Sequence, residues 1–80
     1  MMVDLVNVRK FGERIKELRE ERGLSRLALS KALNIGGGAT ICRWERGEQD
    51  IGSHYLIKLA DFFNVSIDYL VGRSDEPFRV

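Results

Sequence analysis

The sequence predicts an all-α domain built from five helices. Apolar residues recur at three- and four-residue intervals through most of the chain. Those runs end at glycine or asparagine and several begin after serine, the ordinary stop and start signals of helices. No stretch alternates apolar and polar residues for long enough to make a convincing strand.

Taken in order, residues 1–8 carry Val3, Leu5 and Val8 among polar neighbours and read as an N-terminal arm, either a short strand or a mobile terminus. Arg9 to Arg22 is the first helix, with Phe11, Ile15, Leu18 and Arg22 on one stripe and Arg19 at its edge. Gly23 stops it, and Ser25 is a good N-cap for a second helix that runs to about Leu33. In this second helix Leu29, Ala32 and Leu33 are expected to face inward, while Leu27 and Lys31 point out. Asn34 and Ile35 turn the chain into Gly36-Gly-Gly-Ala39. A short third helix, Ala39 to Arg46, follows and is stopped by Gly47. Glu48 to Gly52 is a connector containing Ile51. The fourth helix spans about Ser53 to Phe63, with Leu56, Leu59, Ala60 and Phe63 inward. Ser66 caps a last helix, Ile67 to Val71, ended by Gly72, and residues 73–80 form a short tail.

Composition narrows the classes. Eighty residues make one small domain, and 44% hydrophobic with 31% charged residues is enough to build a core. One cysteine excludes an internal disulfide framework and fits a reducing compartment, and no stretch reads as a secretory signal or a bilayer span, so the expectation is a cytoplasmic protein that does not use a membrane. A net charge of +1 is small for a nucleic-acid binder, so any basic patch must come from how the charges are distributed.

The third helix carries the chemistry. At about 100° per residue, Ile41, Trp44 and Glu45 share one side, Ala39, Arg43 and Arg46 share the other, and Thr40 and Cys42 flank them. A helix anchored by Ile41 and Trp44 that turns two arginines outward has the layout of a helix that reads a DNA groove. Against this stands the usual fate of a surface arginine, a solvated helix face. Glu45, on the inward side, needs a cationic partner. Arg19 stands at the matching place on the first helix, and Arg22 competes with it on geometry alone.

Four pieces carry a resemblance to a known family: Gly12-Glu-Arg-Ile-Lys-Glu-Leu-Arg-Glu-Glu-Arg-Gly-Leu-Ser25, Thr40-Ile-Cys-Arg-Trp-Glu-Arg-Gly47, Leu56-Ile-Lys-Leu-Ala60 and Val65-Ser-Ile-Asp-Tyr-Leu-Val-Gly72. Each is weak alone. In this order and spacing, over residues 11–72, they resemble the phage-repressor (Xre/Cro) helix-turn-helix family. The resemblance implies a five-helix, lambda-repressor-like domain that binds double-stranded DNA as a homodimer and acts as a transcriptional regulator, a repressor on a palindromic operator. It implies that the third helix is the recognition helix, with the N-terminal ends of the second and fourth helices near phosphates. It also implies that an arginine at Arg19 pairs with Glu45 and ties the first helix to the recognition helix. The region around the fifth helix and the preceding connector would form the dimer contact, for which Ile51, Ile67, Tyr69 and Val71 are the candidates.

The chain departs from the family at two places. Arg26 stands where glutamine is usual, and arginine there can hold a phosphate or take guanine bidentately. Gly36-Gly-Gly-Ala39 adds one residue to the turn and removes the side chains that would enter the groove first. Interior glycine costs a helix about 1 kcal/mol relative to alanine, so the recognition helix is expected to start late, at Ala39 or Thr40. Bare N–H groups there, as at Gly38, can approach a phosphate, and Ala39 and Thr40 can touch a thymine methyl. The candidate DNA-contacting residues are therefore Arg26, Gly38, Ala39, Thr40, Arg43, Arg46, Gln49 and Ser53, with Glu48 and Asp50 opposing phosphate near the connector.

Nothing in the sequence resembles a nucleophile–base pair, a phosphate-loop lysine motif or a carboxylate pair in a cleft, and one His54 and one Cys42 are too few for a metal site. No enzyme activity, cofactor or metal is expected. Low net charge and the glycine run keep two other readings open: a protein-interaction module with a degenerate reading helix, and an antitoxin of a toxin–antitoxin pair.

Overall fold

In the computed structural model, which describes residues 7–48 and 51–78 (Ser53 by its backbone alone), five helices follow in order: α1 Val8–Glu21, α2 Arg26–Ala32, α3 Gly38–Glu45, α4 Ser53–Phe63 and α5 Ile67–Leu70. No strand occurs among the described residues, so the chain has the all-α class expected of it. Residues 1–6, most of the expected arm, lie outside the described residues.

Local chemistry sets the helix starts. The Ser25 hydroxyl accepts the N–H of Ala28 and the Ser66 hydroxyl that of Tyr69, each at 3.0 Å. α1 begins one residue before the expected Arg9, because the Asn7 side chain accepts the N–H of Lys10 at 3.1 Å and so acts as the N-cap. α4 ends at Asn64, whose φ of 56° lies in the left-handed region.

The core is one cluster. Phe11 and Ile15 of α1, Ile41 and Trp44 of α3, and Leu59, Ala60 and Phe63 of α4 are buried together, with Leu29, Leu33 and Leu70 in the same cluster. Ala32, expected inward, is exposed. The buried face of α2 is instead centred between Leu29 and Ser30, whose hydroxyl donates to the Leu27 carbonyl at 2.7 Å. On a wheel of about 100° per residue that centre keeps Leu33 inside and turns Ala32 out. Arg22 also leaves the inward stripe. It is exposed, with its guanidinium 5.3 Å from the Phe62 ring and 5.2 Å from the Phe63 ring, and it donates to the Phe62 carbonyl at 2.9 Å.

The tail is part of this packing. Arg14 is buried on α1, with its guanidinium 4.1 Å from the centre of the Tyr69 ring. It donates to the carbonyls of Tyr69 and Ser74 and to the Asp75 carboxylate, the last at 2.8 Å. The Ser66 N–H then bonds the Pro77 carbonyl at 3.0 Å, so residues 73–78 return along α5. Among the described residues no helix is long and apolar enough to cross a membrane.

Candidate nucleic-acid interface

α2 and α3, joined by residues 33–37, form the helix-turn-helix unit, and α3 packs against both α1 and α2. Two features of the turn explain its path. Asn34 takes a left-handed φ of 55°. Gly37 stands at φ 125°, ψ 174°, a region essentially reserved for glycine. From there the Gly37 carbonyl accepts the Thr40 N–H at 3.2 Å and closes the first turn. The helix therefore begins at Gly38, earlier than the Ala39 or Thr40 expected from glycine's low propensity. That propensity is overridden by packing, since the start of α3 lies against α2: a Cβ on Gly38 would stand 3.4 Å from the Leu27 nitrogen and 3.5 Å from the Arg26 Cβ.

The inward side of α3 is anchored by Ile41 and Trp44, 0% and 1% exposed. The Trp44 ring meets Phe11 edge-on at 5.9 Å and lies tilted 5.7 Å from Tyr55, so one indole joins α1, α3 and α4. α1 comes close enough to do this because residue 12 is glycine, with only hydrogens facing the Trp44 and Glu45 carbonyls. A lone glycine inside an otherwise strong helix is the signal by which that close approach could have been found in the sequence.

Glu45 sits between two arginines. Its carboxylate is 3% exposed and accepts from Arg19 Nε at 2.7 Å and Arg19 Nη2 at 3.2 Å. Arg19 is itself buried and also donates to the Leu24 carbonyl at 2.8 Å. The hydrogen bond to Glu45 raises the Arg19 pKa above its ordinary value, against an opposing effect of burial, so this arginine remains charged. The Arg19–Glu45 pair expected from the resemblance is thus present, and Arg22 is not the partner. The sequence reading missed the second arginine: Arg26 Nε donates to Glu45 Oε1 at 3.0 Å.

The outward side carries Ala39, Arg43 and Arg46, all exposed, flanked by half-buried Thr40 and Cys42. The Arg43 guanidinium has no partner among the described residues. Arg46 lies 3.7 Å from Glu48, both side chains exposed, a weak pair in water. Gln49 and Asp50 lie outside the described residues, and the Ser53 side chain is not described. His54 is exposed at the start of α4, its ring 4.1 Å from that of Tyr55.

Two of the residues expected at a dimer contact need correction. Ile51 and Val71 are 8% and 4% exposed and belong to the core. Val71 is drawn in where its carbonyl accepts the Asn7 N–H at 3.0 Å, and Ile51 joins the core cluster just before α4. Ile67 remains 40% exposed, and Tyr69 is half-buried beneath Arg14.

Comparison with known proteins agrees with this architecture. The family model described as helix-turn-helix matches residues 15–70. The HTH-type transcriptional regulator ImmR of Bacillus subtilis (strain 168) is 36% identical over 65 residues, which make up 81% of this chain and 50% of ImmR. The HTH-type transcriptional regulator PrpR of Mycobacterium tuberculosis is 34% identical over 64 residues, 80% of this chain and 13% of PrpR. The chain therefore spans half or less of the length of these curated relatives. Among solved structures, the P22 c2 repressor protein in complex with a synthetic operator superposes with a TM-score of 0.73 at 30% identity, covering 80% of this chain and 96% of the repressor chain. The restriction-modification controller protein C.AhdI from Aeromonas hydrophila gives a TM-score of 0.70 at 28% identity, covering 80% and 96%. With the family model over most of its length and the repressor architecture around α2 and α3, the chain belongs to the phage-repressor-like (Xre-type) helix-turn-helix family.

Proposed function

We propose that this chain is a sequence-specific DNA-binding transcriptional regulator, a repressor that acts in the cytoplasm and binds a palindromic operator as a homodimer. The observation that carries the reading is the split character of α3. Ile41 and Trp44 fix it to the core, while Arg43, exposed and unpaired among the described residues, projects from the opposite face. The names of the relatives point the same way: ImmR is a transcriptional regulator and the P22 c2 repressor was solved on an operator.

In this reading α3 enters the major groove with Arg43 towards base edges, Ala39 and Thr40 offer apolar contact to a thymine methyl, and Arg46 lies towards a phosphate. Gly38 contributes a backbone N–H, and Gln49 and Ser53 are phosphate candidates at the connector and the start of α4. A twofold contact would use Ile67 and the edge of Tyr69, and half-sites would lie about one helical turn, ~34 Å, apart.

The test is a selection from random double-stranded oligonucleotides with the purified chain, followed by salt titration of the winning site for wild type and Arg43→Ala. The expected result is an enriched palindrome whose affinity falls with salt and which Arg43→Ala weakens with loss of preference at one base position. A folded protein that enriches no sequence at moderate salt would overturn the reading in favour of an interaction module.

A further inference from the structure

We infer that Arg26, on α2, supplies the base-reading side chain that the glycine run removes from the start of α3. This inference rests on the DNA-binding reading above.

The vacancy comes first. Gly36, Gly37 and Gly38 present no side chains and Ala39 only a methyl group, so the first turn of α3 offers a groove no hydrogen-bonding side chain ahead of Thr40. Arg26 stands beside that gap. A Cβ built on Gly38 would lie 3.5 Å from the Arg26 Cβ, so positions 26 and 38 share one strip of surface where α2 meets the start of α3.

The second observation is how Arg26 is held. Its Nε donates to Glu45 Oε1 at 3.0 Å, and that carboxylate is itself fixed from beneath by Arg19. The Glu45 side chain is 3% exposed, whereas that of Arg26 is 46% exposed. The guanidinium is therefore tethered at its inner edge to a buried support and open at its outer edge. A guanidinium carries five N–H groups in one plane. With Nε–H spent on Glu45, the four on Nη1 and Nη2 have no partner among the described residues, and together they form a fork that can match two adjacent acceptors.

A restrained guanidinium matters for one target more than the other. Guanine presents O6 and N7 side by side in the plane of the base, and a guanidinium already restrained by its Nε hydrogen bond to Glu45 meets both at a smaller entropic cost than a free one. A phosphate accepts donors over a wide range of directions and gains little from such fixation. The three charges of Arg19, Glu45 and Arg26 sum to +1, so the cluster stays attractive to DNA while the carboxylate aims the outer arginine.

The experiment carries the selected site through single-base substitutions at every position, with the full chain as wild type, Arg26→Lys and Arg43→Ala, each checked for an unchanged melting temperature. Lysine keeps the positive charge and can still bind a phosphate, but it cannot grip two acceptors in plane. The expected result is that Arg26→Lys flattens a guanine preference at one position per half-site by about tenfold or more, leaves the salt dependence nearly unchanged, and leaves the position lost in Arg43→Ala intact. Arg26→Lys that keeps every base preference and weakens all sites equally would make Arg26 a phosphate contact and overturn the inference, with the DNA-binding reading still standing. A wild-type chain that selects no site would overturn both.

Discussion

Gly12 of α1 lies directly against the carbonyl oxygen of Trp44, and a Cβ at Gly12 would also stand 2.9 Å from the carbonyl oxygen of Glu45. These are backbone atoms at the end of α3, so neither can move without dragging α3. Gly12→Ala is therefore expected to destabilise the fold by about 3 kcal/mol, a cost of overpacking rather than of a lost contact. Urea unfolding monitored by circular dichroism measures it. An alanine variant as stable as wild type would mean that α1 and α3 separate freely.

The Arg19–Glu45–Arg26 cluster predicts unequal effects at its three members. Glu45→Ala leaves buried Arg19 without its buried counter-charge, with only the exposed Glu20 carboxylate 3.9 Å away, and should cost about 3 to 5 kcal/mol. Arg26→Ala removes a half-exposed partner and should cost less than about 1 kcal/mol. Equal losses for the two variants in the same unfolding experiment would refute the hierarchy of burial.

The turn separates two neighbouring glycines. Gly37 occupies a backbone region that a side chain strains, so Gly37→Ala should destabilise by about 1 to 3 kcal/mol. Gly36 has no positive φ, and a Cβ there meets nothing within 4 Å. Gly36→Ala should be neutral or stabilise by about 0.4 to 1 kcal/mol, through the unfolded chain. Thermal melts of the two variants side by side give the answer.

Arg14 holds the tail by two hydrogen bonds, to the Ser74 carbonyl and the Asp75 carboxylate, and it also donates to the Tyr69 carbonyl of α5 and lies over the Tyr69 ring, so Arg14→Met should cost about 2 kcal/mol and release residues 73–78. Limited trypsin digestion followed by mass spectrometry is the readout. Cleavage after Arg73 should quicken in the variant, and unchanged cleavage would show that the backbone bonds of Arg73 and Ser74 to Asp68 and of Ser66 to Pro77 suffice to hold the tail.

These predictions divide along the line of what was legible in the sequence. Helix limits are local matters. Ser25, Ser66 and Gly47 announce themselves, and the limits lie within one residue of their expected places except the start of α3, expected at Ala39 or Thr40 and found at Gly38. The Arg19–Glu45 pair was also readable, because an inward carboxylate demands a cation and the resemblance supplied one. The second hold on Glu45 by Arg26 was not, since it depends on how α2 leans over the start of α3. Nor was the burial of Arg14, which the tail and Tyr69 cover, of Val71, whose carbonyl meets Asn7 at the start of α1, or of Ile51, which joins the core cluster just before α4. Ala32 failed because α2 is too short for periodicity to distinguish a stripe centred on Leu29 from one shifted towards Ser30.

The indole of Trp44 is the sole tryptophan of the chain, and it is sealed between Phe11 and Tyr55 on the helix assigned to the groove. Its fluorescence therefore comes from a single, dry location on that helix. The intrinsic emission of the unlabelled protein should be blue-shifted when α3 is seated and move red when it lifts away. The same ring that anchors α3 thus makes its seating visible by light, without an attached dye.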